Sequence, residues 1–364
     1  MIHFLAPAAG AYTLAEYFEL EPPSLVERFR VLSYEELPEL TRLERGTCVL
    51  AGLDQLAPAM LALVARLAQQ LSAEGLLVLN DPRRVLGRFE LLTLLHRLGR
   101  NEFRIARPGA DLKQLRYPVF VREGTSHDGS LSPLLDSPSE VEAALGRALL
   151  QGHRFDDLVV TEFCATEGAD GLYRKYAAFK VGDRILARSL NAGRDWMLKL
   201  ENSEFTTALA LEEQDYVLGN PHAAELAELF DLAGIDYGQI DYAFKQGRVQ
   251  TWEINLHPTI GRGTGPGGGL GPREVHPVRN QTREHFFDRF REAWAAIDQP
   301  CGEPAIPLGF DPRLRDAAAL AASAPRRAGG VGRRLLRPLK PLLGPVSGPL
   351  LRALGAWRRR RGGS

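Results

Sequence analysis

Short apolar runs alternating with longer amphipathic ones over the first hundred residues constrain this chain most. "CVLAGL", "APAMLALVARLAQQL", "GLLVLND", "RFELLTLLHRLG" and "FRIARP" follow one another. Strands of about four to six residues separated by helices of about twelve or more form parallel βαβ units, because a parallel neighbour needs a long crossover. This predicts an α/β domain over residues 1–107.

From "YPVFVRE" the pattern changes to a strand, a Gly/Ser/Thr loop "GTSHDGS", a helix near "SPSEVEAALGRALLQG" and a strand "LVVTEFC". "SPSE" reads as a helix start, with Ser137 three residues before Glu140 or Ser139 three before Glu142. "YRKYAAFKVGDRILARSL" reads as a hairpin about Gly182-Asp183, whose leading glycine suits a type II′ turn and pairs Val181 with Arg184 and Phe179 with Leu186. A helix over "PHAAELAELFDLAG" ends at Gly234, a C-terminal cap. A last hairpin, "QIDYAFKQGRVQTWEIN", precedes "GRGTGPGGGLGP", which is too glycine-rich for regular structure and reads either as a linker or as a loop folding over a ligand.

Of 364 residues, 45% are hydrophobic and 25% charged, as in ordinary soluble domains, which argues against disorder and against a membrane bundle. The three cysteines, Cys48, Cys164 and Cys301, form neither a disulfide framework nor a metal knuckle, so a reducing cytoplasm is the expected location. The N-terminus lacks a basic segment ahead of its apolar run, and no export signal or membrane span is predicted. Eleven of the 45 basic residues follow Asp316, with no acid among them, which leaves a body near −11 and a cationic tail.

The last hairpin carries the chemistry. Glu253 and Asn255 share one face of a strand because side chains alternate. A three-residue loop, Lys245-Gln246-Gly247 with Gly247 left-handed, would bring Asp241 to the same face. It would also gather Ile240, Tyr242, Phe244, Trp252 and Ile254 on the core side, and the hydrophobic pattern selects this register. Two carboxylates and an amide oxygen so placed repel unless a cation lies between them, and hard oxygens suit Mg²⁺. Such an ion completes its shell with water and substrate phosphates, which suggests a nucleoside triphosphate. The alternative is a solvated strand face.

In "IDYAFKQGRVQTWEINLHP", Asp241, Glu253 and Asn255 resemble the metal-binding end of the ATP-grasp superfamily, of the glutathione synthetase-like, carboxylate-amine ligase type, in which an Asp precedes an E-x-N strand followed by Pro. "NDPRRVLGRFELLTLLHRLG" resembles the segment entering the first ATP-binding element, "YPVFVREGTSHDGS" the basic strand and phosphate-covering loop, and "LVVTEFC" the adenine-binding hinge. These matches keep their order over residues 78–262. The resemblance implies an α/β and α+β architecture, an N-terminal parallel-sheet α/β domain followed by a two-subdomain ATP-grasp fold over 108–295 with a flexible nucleotide-covering part at 117–190. Residues 296–325 would be a linker and 326–364 a basic tail. It further implies ATP and magnesium, two ions, with manganese as a substitute, and an enzyme that converts a carboxylate to an acyl phosphate and joins it to an amine or amino acid. A kinase for a small molecule and a non-catalytic nucleotide-binding protein are the alternatives.

Carried over by position, Asp241, Glu253 and Asn255 become the metal ligands. Glu162, with the backbone of Phe163 and Cys164, would hold the adenine, and Glu167 or Asp170 the ribose. Gly124, Thr125, Ser126 and Gly129 would form the phosphate loop. Arg88 and Arg122 stand where many members have lysine, so the charge is kept while the geometry differs. Some ligases carry an arginine where this chain has Gln239, and Arg184, Arg188 or Arg262 would then supply the catalytic cation.

The bland reading is preferred for other residues. His127 and Asp128 read as a solvated loop, Arg174 and Lys175 as a strand edge unless that edge faces a cleft, and Cys164 as hinge packing. His257 reads equally as substrate contact or as packing. In the tail, Pro338, Pro341, Pro345 and Pro349 interrupt any single helix. It reads as a solubilising extension, or as a peripheral contact with an anionic inner membrane surface, an acidic protein or non-specific nucleic acid. Small-molecule carboxylate and amine substrates are the expected partners.

Overall fold

The computed structural model describes residues 1–127, 129–261, 271–302 and 304–323. The first strands are β1 (Ile2–Ala6), β2 (Phe29–Ser33), β3 (Arg42–Leu43), β4 (Thr47–Leu50) and β5 (Val78–Leu79). Four of them form a parallel sheet in the order β2-β1-β4-β5, the arrangement expected of the N-terminal half. Its inner strand β1, buried along its whole length, was not anticipated from the sequence. Short helices α1 (Ala15–Leu20) and α2 (Pro23–Val26) lead to β2, α3 (Pro58–Ala73) crosses from β4 to β5, and α4 (Arg88–Arg97) follows β5. α3 buries Leu63, Val64, Leu67 and Leu71, the stripe its helical period presents.

The strand expected over "GLLVLND" shrinks to two residues because Asn80, with φ of 65°, turns the chain out of the sheet. The "FRIARP" run is also corrected: β6 (Ile105–Ala106) leaves the parallel sheet and pairs antiparallel with β8 (Leu158–Glu162). β7 (Val119–Glu123) lies on the other side of β8, giving the order β6-β8-β7. This sheet and α5 (Pro138–Leu150) enclose a small core of their own, including Val119, Val121, Val141, Leu145, Leu158 and Val160. Ser137 caps α5 as its Oγ accepts from the Glu140 N–H, the first of the two anticipated starts.

β9 (Tyr173–Val181), β10 (Arg184–Gly193), β11 (Tyr237–Lys245) and β12 (Arg248–Asn255) form an antiparallel sheet ordered β10-β9-β11-β12. The expected pairs Val181–Arg184 and Phe179–Leu186 occur in it. α6 (Thr207–Gly219), α7 (Ala223–Ala233) and α8 (His276–Ile297) accompany this sheet, and Gly234 ends α7 in the left-handed region. An alanine there would meet the Arg84 carbonyl oxygen at 2.3 Å, so both conformation and space require glycine. β13 (Ile306–Pro307) pairs with β3, and α9 (Pro312–Ser323) buries Ala318, so this part of the expected linker is built onto the N-terminal half. Among the described residues no helix is long and apolar enough to cross a membrane. The tail at 326–364 lies outside them.

The N-terminal and antiparallel sheets share one core. Phe4 of β1 meets Tyr237 of β11 edge-on at 5.4 Å, and Trp294 of α8 packs on both. Asn80 joins the same two sheets through polar contacts and is wholly buried. Its amide nitrogen donates to the Leu50 and Tyr237 carbonyls at 3.1 and 2.7 Å, and its oxygen accepts from the Asp236 and Tyr237 N–H groups at 2.8 and 2.9 Å. Asn80→Ala would strand these backbone groups, and urea denaturation should register a loss of about 3 kcal/mol or more. A loss below about 1 kcal/mol would contradict this role.

Candidate active site

Asp241 of β11 stands directly opposite Glu253 of β12. Their common face was anticipated; the turn that produces it was not. The loop has two residues, Gln246 and Gly247, with φ of 52° and 74°, as a type I′ turn requires, and Lys245 pairs with Arg248. An even loop alone would set Asp241 against Trp252. A β-bulge between Asp241 and Tyr242 skips Trp252 and restores the Asp241–Glu253 pairing. Trp252 packs against the core as expected, its ring stacked on the buried Phe103 at 5.0 Å, and it also borders the cleft that Asp241 and Glu253 face.

That cleft lies between the β6-β8-β7 unit and the antiparallel sheet. One end is aromatic, with Phe120, Phe163, Tyr173 and Trp196, and the other is charged. Phe120 and Phe163 pack on Trp196 at 5.1 and 5.8 Å. The charged end gathers Arg122, His127, Arg174, Lys175 and Lys199 against Asp241 and Glu253, so cations outnumber acids.

Glu253 is the hub. Its Oε2 accepts from Arg88 and, at 2.8 Å, from Arg122, and its Oε1 accepts from His127 Nδ1 at 3.2 Å. Burial works against the charge of Glu253, but Arg88, Arg122 and His127 hold its carboxyl well below the usual range. Arg88, at the first position of α4, also donates to the carbonyls of Glu123, Gly124 and Ser126 at 2.8 to 2.9 Å, which fastens the phosphate-loop candidate to the helix. His127 Nε2 meets Asp54 Oδ2 at 3.3 Å. Burial lowers the pKa of His127, yet its bonds to Asp54 and Glu253 prevail and raise it to about 9, so it is cationic at neutral pH. Lys175 lies 3.3 Å from Asp241, which holds the ammonium above its ordinary range against the cost of burial. Gln239 donates to the other Asp241 oxygen at 2.9 Å.

The remaining expectations divide. Gly129, Phe163 and Cys164 border the cleft with Arg122. Gly129 has φ of 101°, and a Cβ there would approach Lys199 at 3.2 Å. Thr125 turns from the cleft, its N–H and hydroxyl donating to Asp157 at 3.1 and 2.7 Å. Glu162 is corrected as an adenine ligand: its carboxylate is buried and accepts from Arg104 Nε at 2.8 Å and the Arg116 N–H at 2.7 Å, a brace for β8. Asp170 is tied to Arg174 at 2.8 Å, and the Glu167 backbone bridges Tyr173; neither carboxylate borders the cleft. Asn255 Oδ1 accepts from the His257 N–H at 2.8 Å. Arg184 is corrected too, being exposed beside the hairpin turn. Arg188 donates to the Gly261 carbonyl at 2.9 Å and lies over Phe286 at 4.5 Å. Arg262 and Asp128 lie outside the described residues.

His127 and Lys175 carry more of the site than the bland reading allowed, and Asp54, Lys199 and Trp196 were missed. Asp54 is 73 positions from His127, and only the fold brings them together. Among the described residues no three His, Cys, Asp or Glu side chains cluster as a metal site. The oxygen donors nearest to one are Asp241 and Glu253, of the hard type magnesium takes, each now neutralised by the protein's own cations.

No family model matches the sequence, and no curated protein matches it. Among solved structures, D-alanine–D-alanine ligase from Bacillus anthracis complexed with ATP overlays 80% of this chain and 98% of its own at 12% identity and a TM-score of 0.43. N5-carboxyaminoimidazole ribonucleotide synthetase from Thermotoga maritima overlays 83% and 77% at 12% identity and 0.43, and L-amino acid ligase from Bacillus licheniformis 70% and 66% at 12% and 0.38. All three scores are below 0.5.

Removing the hub charge should unbalance the cluster. Glu253→Gln leaves Arg88 and Arg122 facing each other, and chemical denaturation of the ligand-free protein should show a loss of about 3 kcal/mol. Arg88→Met added to it should return part of that loss. An unchanged unfolding midpoint in the single variant would show that the cluster contributes nothing.

Proposed function

We propose that the chain is an ATP-dependent ligase of the ATP-grasp type, with the nucleotide base among Trp196, Phe120 and Phe163 and the triphosphate among Arg122, Lys175 and Lys199. The observation that carries this reading is the pairing of each acid with a cation, Glu253 with Arg88 and Arg122 and Asp241 with Lys175. These are the two halves of a magnesium–triphosphate site resting on one another. Phosphate oxygens would take the cations, and Asp241, Glu253 and Asn255 would hold magnesium. The ion would supply charge neutralisation on the transferred phosphoryl group.

In the proposed reaction a substrate carboxylate oxygen attacks the γ-phosphorus and the bond to ADP breaks. An amine nitrogen then bonds to the acyl carbon, phosphate leaves and the amine gives up a proton. Arg122 and Lys175 offset the charge that builds on the phosphoryl oxygens, and the aromatic end excludes water from the base.

One observation favours the non-catalytic alternative: Glu253 already has three cationic partners. Turnover decides between them. The ligase reading expects magnesium-dependent ADP release with pooled acids and amines, an acyl hydroxamate when hydroxylamine is added, and a drop of about 10²–10³ in rate for Asp241→Asn. ADP release with a phosphorylated alcohol and no hydroxamate would make it a kinase. Undiminished release from Asp241→Asn would remove the metal assignment.

A further inference from the structure

A second cavity, of about 490 Å³, is bordered by Tyr34, Asp54, Arg107, Thr125, Asp157 and the first residues of α3. Tyr34 and Asp54 follow the C-terminal ends of β2 and β4, the edge at which open α/β sheets hold ligands. The volume admits a small molecule.

Two buried polar atoms here have no partner among the described residues. Tyr34 is 1% exposed and its hydroxyl is unbonded. Asp54 Oδ1 is also buried and unbonded, while Oδ2 meets His127. The nearby acids are engaged differently: Asp157 accepts from Thr125, and Asp156 from Arg154 at 2.9 Å. Around the cavity the carboxylates Glu35, Asp54, Asp156 and Asp157 outnumber the guanidinium groups of Arg107 and Arg154. Burial, followed by the neighbouring Cys48, Asp54 and Glu35, pushes the Tyr34 phenol well above its ordinary pKa, so it stays neutral and its oxygen can accept. A carboxylate accepts only, so a ligand on Asp54 Oδ1 must bring a donor, which the neutral Tyr34 oxygen can also accept, and the acids still outnumber the cations when His127 on Asp54 is counted, which favours a positive ligand.

We propose that this cavity binds an organic amine in its ammonium form on Asp54 and Tyr34, and that it is the site of the amine co-substrate. The second half rests on the nucleotide reading of the cleft; the binding itself does not. His127, which borders the cleft, links the two spaces, with one ring nitrogen on Glu253 and the other on Asp54 at the cavity's edge. An ammonium on Asp54 would therefore lie one side chain from the charged end of the cleft, and the cationic cleft itself would repel it.

Calorimetry on the full chain tests this with 1,4-diaminobutane, L-lysine and glutarate as probes, and with Mg-ADP titrated separately. The two cationic amines should bind saturably and glutarate should not. Asp54→Asn should weaken amine binding about tenfold or more, and Tyr34→Phe, which keeps the ring and hence the packing, by a smaller factor. Mg-ADP affinity should stay within about twofold in Tyr34→Phe. Failure of both amines to bind, binding of glutarate at least as tight, or unchanged amine affinity in both variants would overturn the inference. Loss of Mg-ADP binding with amine binding intact would instead sink the nucleotide reading and leave the amine site standing.

Discussion

The buried carboxylate of Glu253 governs the arrangement. It draws α4 through Arg88, β7 through Arg122 and the Gly/Ser loop through His127 onto β12. Two guanidinium groups brought this close would separate without the acid between them, and the acid would not stay ionised at this depth without them. The mouth of the cleft, the pose of the loop and the contact of His127 with Asp54 follow from this mutual compensation.

Hydrophobic packing makes such a cluster tolerable. The Phe4, Tyr237 and Trp294 contacts and the four hydrogen bonds of Asn80 fix the parallel sheet against β11. The strand bearing Asp241 is thus held by the N-terminal half, while Arg122 comes from a unit with a separate small core. The ion pair between Arg122 and Glu253 therefore joins two separately packed cores.

Much of this was legible from period and spacing. The helical stripe of α3, the Ser137 cap and the Gly182-Asp183 hairpin all follow from local rules. β1 escaped notice because five buried residues at a chain end carry no alternation. The face of the last hairpin came out right through two compensating errors of parity, a two-residue turn and a bulge at Trp252, and a bulge leaves no mark in hydrophobic pattern. Glu162 looked like a ligand because its run resembles a hinge; Arg104 and Arg116, far off in sequence, claim it. His127 looked solvated because neither Asp54 nor Glu253 is near it along the chain. Long-range ion pairs of this kind depend on the completed fold.

On the proposed reading, a magnesium-bound triphosphate separates the acids from the cations at the charged end, and they fall together without it. Calorimetric titration of the full chain with a non-hydrolysable ATP analogue, run with magnesium and again with a chelator, tests it most directly. Binding should be saturable and should tighten at least about tenfold when magnesium is present. Equal affinity in the two titrations, or no binding in either, would contradict it.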